Sequence, residues 1–340
     1  MLGVVMLGII KHIPLLLFGV ILSFSACSLV DEDLTACEAE YQLTYELQLI
    51  TNITTELETE LSLDTEVAVA TALKAYLGNI FTDRAHDVDL SFYDAEGELP
   101  LMYHERRIMD ANQTSYTLHI PVHKYLHLGL ANLEGNGVLS LEGNDTGSGS
   151  HLQQEIADTL PTHKRGVFSA RAHMDIKEGE DQQFKVNLYM ANCATALVLD
   201  TLGSNVKDIR VYAAGFATAF DVADSVYRFQ HTPVIKADKM NVTDPGSEVC
   251  FATVNFPSRV PVLKAEETEE TYWEFRVYCT IPDGTITETK LSVRHPLLPS
   301  ELDILKAKVY GNGALEPGDH TVGVSVTVDW EPGMDHEVIL

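Results

Sequence analysis

Apolar and polar residues alternate along most of the chain beyond residue 37, which is the period of a β-strand with one buried face. The clearest run lies near the C-terminus, where one predicted face carries Val322, Val324, Val326, Val328 and Trp330. A second face of this kind comprises Trp273, Phe275, Val277, Cys279 and Ile281. Many short strands without helices between them predict a mainly β protein built of antiparallel β-sandwiches.

One segment has the helical period instead. Between Asp64 and Thr82 the apolar residues recur every three or four positions, with Asp64 as the predicted N-cap. The predicted buried face of this helix comprises Val69, Ala70, Leu73, Leu77, Ile80 and Phe81. The pattern therefore predicts one short helix, and it belongs to the first half of the chain.

Two hydrophilic stretches compete for the boundary between domains. Gly, Ser and Asn dominate Leu141–Ser150, which predicts a flexible loop or, alternatively, an interdomain linker. We place the boundary at Lys177–Gln183, because the strand-like segment before it completes the first domain. A chain of 340 residues is long enough for two domains of ordinary size. The prediction is one β-sandwich domain over residues 37–178 and a second over residues 183–334.

The first 26 residues are almost wholly apolar and carry one charge, Lys11. The run Ile13–Ala26 is 14 residues long, too short to cross a bilayer comfortably, and it ends in small residues as a cleavable secretory signal does. Residues 1–26 are therefore predicted to be a signal peptide. A retained membrane anchor is the alternative interpretation.

Cys27 follows Phe24, Ser25 and Ala26, a sequence that resembles the bacterial lipobox. The resemblance implies a lipoprotein signal peptide that is cleaved between Ala26 and Cys27, with diacylglycerol on the Cys27 sulfur. Stable anchoring takes more than one acyl chain, which a three-acyl cysteine carrying palmitate would supply. An ordinary thiol beside a cleavage site is the alternative.

Three consecutive carboxylates, Asp31, Glu32 and Asp33, follow the predicted tether. Residues 27–36 are accordingly predicted to be an acidic, lipidated linker. Its carboxylates cannot bind an anionic bilayer surface, and they resemble the signal that exports some Gram-negative lipoproteins to the outer face of the outer membrane. A solvated acidic linker without an export role is the alternative.

The overall charge excludes one class of partner. The chain has 23 Lys and Arg residues against 50 Asp and Glu residues, which gives a net charge of −27. Nucleic acids and anionic lipid headgroups bind through basic clusters, so no nucleic-acid partner is expected.

Candidate chemistry is sparse. His119, His123 and His127 are four residues apart, but Pro121 interrupts the helix that would align them, so we expect surface histidines rather than a metal site. The chain lacks G-x-S-x-G, H-E-x-x-H and P-loop motifs. We therefore expect no enzymatic activity, no metal and no cofactor.

Four cysteines remain once Cys27 is assigned to the lipid. Cys37, Cys193, Cys250 and Cys279 allow up to two disulfides in three pairings, which the sequence does not distinguish. A buried free thiol is equally compatible with Cys279, because this residue shares the apolar face of its predicted strand.

The stretch "CSLVDEDLTAC", the alternating strand "EYQLTYELQL" after it and the closing "VGVSVTVDWEPG" resemble the FimB-type fimbrial anchor family. Two further segments fit it, "VDLSFYDAEGELP" and "FKVNLYMANCATALVLD". Members of this fimbrillin-related family are lipoproteins at the base of type V pili of anaerobic Gram-negative bacteria. The resemblance implies two tandem transthyretin-like antiparallel β-sandwich domains at the cell surface, lipid-anchored in the outer membrane.

The resemblance also implies a function in cell adhesion. The family assembles by donor-strand exchange, so the implied partners are fimbrial stalk subunits and, through the N-terminal lipid, the outer membrane. The implied role is to anchor a fimbrium (pilus) and limit its length, and Val322–Trp330 is the candidate intersubunit strand, donated or internal. The alternatives are a minor or tip fimbrial subunit, or a glycan-binding surface lipoprotein. The latter needs exposed aromatic platforms, whereas Trp273 and Trp330 lie on predicted core faces.

Overall fold

A computed structural model describes residues 40–51, 65–82, 84–109, 115–179, 182–243, 246–260, 271–318 and 324–331. Among these residues the first half contains one helix and nine strands. They are α1 (Val67–Ile80), β1 (Glu40–Ile50), β2 (Asp87–Asp94), β3 (Leu101–Ile108), β4 (Ser115–Pro121), β5 (Lys124–Ala131), β6 (Leu139–Glu142), β7 (His151–Gln154), β8 (Thr159–Pro161) and β9 (Phe168–Asp175).

Thirteen strands follow in the described part of the second half. They are β10 (Gln182–Met190), β11 (Cys193–Asp200), β12 (Asp208–Ala214), β13 (Ala219–Asp221), β14 (Val226–Arg228), β15 (Val234–Lys236), β16 (Asp238–Lys239), β17 (Glu248–Asn255), β18 (Trp273–Thr280), β19 (Ile286–Val293), β20 (Leu302–Val309), β21 (Leu315–Pro317) and β22 (Val324–Glu331). The prediction of a mainly β fold is confirmed. Among the described residues, no helix is both long enough and apolar enough to cross a membrane.

The helix forms where its period predicted it. The buried side chains of α1 are Val69, Leu73, Leu77 and Ile80, spaced by three or four residues. Phe81, just beyond the helix, is buried as well. The predicted N-cap, Asp64, lies outside the described residues, and the N-cap position is held by Glu66 without a capping hydrogen bond from its side chain.

The strands form four sheets. The largest has seven strands in the order β3-β2-β5-β9-β10-β1-β4, and a six-stranded sheet has the order β22-β19-β18-β12-β15-β8. A five-stranded sheet has the order β16-β17-β11-β20-β21, and a four-stranded sheet has the order β14-β13-β7-β6. Three neighbouring pairs are parallel, namely β1 with β10, β11 with β20 and β8 with β15. The sequence predicted antiparallel sheets and did not predict these parallel pairs. The alternation of buried and exposed residues has the same period in parallel and antiparallel strands, so it does not reveal strand direction.

The five-stranded sheet lies between two hydrophobic cores. Val198 of β11 packs into a core with Leu73 of α1 and Tyr45 of β1, whereas its neighbour Leu197 packs into a second core with Phe275 of β18. Successive residues of a strand point to opposite faces, so β11 supplies apolar side chains to both. This explains why its sequence, CATALVLD, is apolar almost throughout instead of alternating.

Strands from the two halves of the chain share three sheets. In the seven-stranded sheet β10 of the second half pairs with β1 and β9 of the first. In the six-stranded sheet β8 pairs with β15, and in the four-stranded sheet β7 pairs with β13. Leu141 and Glu142, the first two residues of the predicted loop Leu141–Ser150, belong to β6. The rest of the loop connects β6 to β7, and the Gly147 amide within it donates to the Leu99 carbonyl at 2.8 Å. The two halves are thus joined by backbone hydrogen bonds, while the boundary at residues 178–183 remains a prediction.

The cysteines are thiols in the core. Cys193, Cys250 and Cys279 are free and buried, while Cys37 lies outside the described residues. The predicted option of two disulfides is therefore wrong, since each of its three pairings needs a bond between two of these three residues. Burial raises the pKa of both Cys250 and Cys279 to about 12, so these thiols stay protonated and act as small apolar side chains.

Candidate functional site

The first described strand, β1, occupies an interior place in the seven-stranded sheet. It pairs in parallel with β10 over eight positions, from Leu43↔Gln182 to Ile50↔Tyr189. On its other side it pairs antiparallel with β4 over seven positions, from Glu40↔Pro121 to Glu46↔Ser115. The strand that would emerge from the predicted lipidated linker is therefore hydrogen-bonded along both edges.

Buried and outward-facing residues alternate along β1, as expected for a strand inside a sheet that covers a core. Leu43, Tyr45 and Leu47 are buried in the core, while the residues between them face outward. Full burial of a large apolar side chain contributes about 1.5–3 kcal/mol before ordering costs. On the outward face, Gln183 Nε2 of β10 donates to Glu46 Oε1 at 2.7 Å, which adds a side-chain link across the parallel pair.

A buried hydrogen bond connects β1 to β5, two strands beyond its neighbour β10. The Tyr45 hydroxyl lies 2.7 Å from His127 Nε2, and His127 Nδ1 lies 3.0 Å from the Ser91 carbonyl oxygen. A carbonyl only accepts, so Nδ1 carries the proton and Nε2 accepts from the Tyr45 hydroxyl. Both side chains are fully buried, and this burial lowers the pKa of His127 to about 4. The imidazole is thus neutral and serves as an acceptor for β1.

Two neighbours shape the pocket around this bond. The His127 ring stacks on Phe92 with ring centroids 4.3 Å apart. Gly129, on the same face of β5, leaves the space that the bond needs, since a Cβ there would lie 3.3 Å from His127 Nε2 and 3.5 Å from the Tyr45 hydroxyl. We call Tyr45, His127, Phe92 and Gly129 the β1 latch.

The three spaced histidines have different surroundings. His119 is exposed on β4, His123 lies 3.2 Å from Asp94, and His127 is in the latch. The expectation of surface histidines is therefore wrong for His127, because β5 is covered on both faces. Within the described residues, no group of three or more His, Cys, Asp or Glu side chains is arranged to hold a metal ion.

A second buried histidine joins the two halves of the chain. Asn192 Nδ2 donates to His163 Nδ1 at 2.7 Å, and the Gln154 amide lies 3.1 Å from His163 Nε2. The Asn192 side-chain oxygen accepts from the Val167 amide, which orients the Asn192 side chain. Burial lowers the pKa of His163 to about 3, so this imidazole is neutral too. The sequence pattern missed both histidine networks.

The candidate intersubunit strand lies at an edge. β22 pairs antiparallel with β19 from Val293↔Val324 to Ile286↔Glu331 and is the outermost strand of the six-stranded sheet. No strand in the described part of the chain pairs with its other side. Four of the predicted residues, from Val324 to Trp330, belong to β22, and Val322 lies outside the described residues.

The predicted N-terminal sites also lie outside the described residues. They are the cleavage site at Ala26, the lipid attachment site at Cys27 and the acidic residues Asp31, Glu32 and Asp33.

No protein-family model matches the chain, and no curated protein matches it. Among solved structures it is similar to a candidate adhesin from Bacteroides thetaiotaomicron, with a TM-score of 0.50 and 10% identity over 84% of this chain and 99% of that one. A candidate adhesin from Bacteroides ovatus has a TM-score of 0.50 and 11% identity over 87% and 97% of the two chains. The fimbrial anchor protein Mfa2 from Porphyromonas gingivalis has a TM-score of 0.45 and 8% identity over 86% and 98%. The two structures with a TM-score of 0.50 show the fold: this chain has the mainly β architecture of those Bacteroides proteins.

Proposed function

We propose that the protein is a cell-surface lipoprotein that anchors a fimbrium to the outer membrane and limits its length. The observation that carries the proposal is the interior position of β1, which is paired on both edges and held by the β1 latch. In donor-strand assembly, a subunit accepts a strand from its neighbour only where its own sheet lacks one. A subunit that keeps its first strand has no vacancy at this place, so growth would stop there.

The tether would be the lipid on Cys27. The linker from Cys27 to the start of β1 at Glu40 covers 13 residues, which span at most about 45 Å when fully extended. The carboxylates of Asp31, Glu32 and Asp33 would be repelled by anionic lipid and keep the linker in solvent, in line with export to the outer face. The folded part would stand close to the membrane, with β1 as the first element that the structure describes.

The fimbrial contact would use β22. An edge strand presents unpaired backbone N–H and C=O groups, which a strand from a stalk subunit can extend by β-augmentation. Because β22 and β1 belong to different sheets, the contact and the tether would be separate structures.

The anchoring proposal is tested with Cys27→Ala in the native bacterium. We expect the variant to leave the membrane fraction and the fimbriae to be shed into the medium, as measured by fractionation and immunoblotting. Cys37→Ala is the matched control, because it removes a nearby cysteine without touching the predicted lipid site. Fimbriae that stay on cells carrying Cys27→Ala would contradict the proposal, as would immunogold labelling at the fimbrial tip, which would favour a tip subunit.

The contact strand is tested by placing a photo-crosslinking amino acid at Thr327 of β22. We expect irradiation of intact cells to capture a fimbrial stalk subunit, identified by mass spectrometry. The same substitution at Arg106, which is exposed on the edge strand β3 of the other large sheet, should capture none. Equal capture from both positions would show that β22 is not the contact strand.

A further inference from the structure

The six-stranded sheet carries pairs of opposite charges on the face that points away from its core. On β18, Arg276 Nε donates to Glu274 Oε1 at 2.6 Å, and on β19, Lys290 Nζ lies 3.7 Å from Glu288 Oε1. The two residues of each pair are separated by one buried residue, so their side chains lie on the same, outer face of the sheet. Each of these strands thus presents one anion and one cation to solvent.

The register of the strands aligns these charges in rows across the sheet. Arg276 lies opposite Lys290, which puts two cations side by side, and Lys290 lies opposite Thr327 of β22. The next row on this face has Glu288 opposite Asp329 of β22, which puts two acidic residues side by side. Like charges in opposed positions destabilise a sheet. The pairs along β18 and β19 offset this repulsion, because they bring an anion next to each cation.

The edge strand β22 does not repeat this pairing of charges. Its positions in the outer rows are Ser325, Thr327, Asp329 and Glu331, two uncharged residues followed by two acidic ones. β22 therefore brings no anion to the row of cations and a second anion to the acidic row. Since β22 is the outermost strand of the sheet, a strand added beside it would continue both rows.

The opposite face of this edge is the core face. Val326 pairs with Leu291, and Val328 pairs with Thr289, and both of these partners on β19 are buried. Successive residues of a strand alternate between the two faces, so a strand added to β22 would place every second side chain on the core face. Those side chains should be aliphatic, while the side chains between them meet the charged rows.

We propose that the stalk-subunit strand that binds β22 has an acidic residue opposite Thr327, a basic residue opposite Asp329 and an aliphatic residue between them. This inference rests on the proposed contact of β22 with a stalk subunit and adds the chemistry of that partner. The acidic residue would extend the row of Lys290 and Arg276, and the basic residue would extend the row of Asp329 and Glu288. A strand with the two charges exchanged, or shifted by two residues, would bring like charges together, so the rows select one partner strand in one register.

The test places a photo-crosslinking amino acid at Ser325 in the native bacterium, so that Thr327 and Asp329 keep their own side chains. Mass spectrometry then gives the sequence of the crosslinked peptide. We expect a strand of a fimbrial stalk subunit in which aliphatic and polar residues alternate, with an acidic and a basic residue two positions apart. A captured strand without these two charges would overturn this proposal and leave the contact of β22 intact. Failure to capture any fimbrial subunit would contradict the contact itself, and this proposal with it.

Charge reversal gives the second readout. Asp329→Lys should lower capture from Ser325 by about tenfold, because an attractive cross-strand pair becomes repulsive. Asp329→Asn, which removes the charge without reversing it, should lower capture by about threefold. Asp224→Lys makes the same change of charge at an exposed turn between β13 and β14, so it is the matched control and should capture as the parent does.

A compensating exchange completes the test. Replacing the captured basic residue of the stalk subunit with Glu should restore capture by Asp329→Lys, because the pair is then attractive again with its charges exchanged. Restoration requires that the two residues face each other, which a general loss of folding in Asp329→Lys would not mimic. The proposal fails if Asp329→Lys captures the subunit as well as the parent does, or if the exchange does not restore capture.

Discussion

Removing the oxygen atom of one hydroxyl group should weaken the β1 latch. Tyr45→Phe removes the hydroxyl that donates to His127 Nε2 and keeps the aromatic ring in the core. The change therefore leaves the shape of the core intact and deletes one contact between β1 and β5. It tests whether the buried bond helps to hold the first strand in its sheet.

The magnitude follows from the burial of both partners. Tyr45 and His127 are each 0% exposed, so water cannot reach the His127 acceptor once the hydroxyl is gone. A buried group left without its partner costs about 1–3 kcal/mol of unfolding free energy. Tyr189→Phe is the matched control, because Tyr189 on the neighbouring strand β10 is 57% exposed. Exposed substitutions of this kind stay within about 0.5 kcal/mol.

Two assays separate global from local effects. Urea unfolding followed by circular dichroism should show a lower midpoint for Tyr45→Phe than for Tyr189→Phe. Hydrogen exchange should show the β1 amides opening roughly 5- to 150-fold more often, which is the same free energy expressed as an equilibrium constant. If the midpoint and the β1 exchange rates of Tyr45→Phe both equal those of the parent, the latch does not hold β1, and the argument from its geometry fails.

Two further predictions concern charge. Replacing Asp31, Glu32 and Asp33 together with Ala should leave acylation intact but reduce surface exposure, measured by protease shaving of whole cells, and unchanged shaving would refute the export role. Burial lowers the pKa of His127 from 6.5 to about 4. Between these two pH values the unfolded chain therefore binds a proton at His127 that the folded chain does not bind. The His127 contribution to stability is therefore fully present well above pH 6.5, and about 3 kcal/mol of it should be lost as the pH falls towards 4. His127→Gln should remove this part of the slope of unfolding free energy against pH, and parallel slopes for parent and variant would contradict the assignment.

Local pattern predicted the elements well. The alternating face from Trp273 to Cys279 is buried in β18, and the three- and four-residue spacing from Val69 to Ile80 forms the buried face of α1. Both predictions depend on periods within a single element, where the burial of one face determines the conformation. The same reasoning identified β1 and β22 as strands before their positions in the sheets were known.

Strand neighbours and buried polar contacts are not local, which is why the sequence did not reveal them. Tyr45 and His127 are 82 residues apart, and nothing in "HKYLHLGL" distinguishes a histidine in the core from one on the surface. Gly129 was the one sequence signal of this buried contact, because a glycine inside an apolar strand often marks a place where another group approaches closely. The cysteine count was misleading for a related reason. An even number allowed pairs, but Cys250 lies in one core and Cys193 and Cys279 lie in another, all as free thiols.

The topology bears directly on how an anchor would carry load. A pull on a fimbrium bound at β22 would enter the six-stranded sheet and reach the seven-stranded sheet through the shared cores and the strands that the two halves exchange. It would leave through the N-terminal end of β1, towards a tether at Cys27. Tension along β1 acts parallel to the strand, so the hydrogen bonds to β10 and β4 are loaded together instead of being peeled one by one. The β1 latch adds a side-chain contact that must also break before the strand slides. A first strand held in this way serves both parts of the proposed function, since it closes the sheet to a donated strand and ties the folded chain to the membrane.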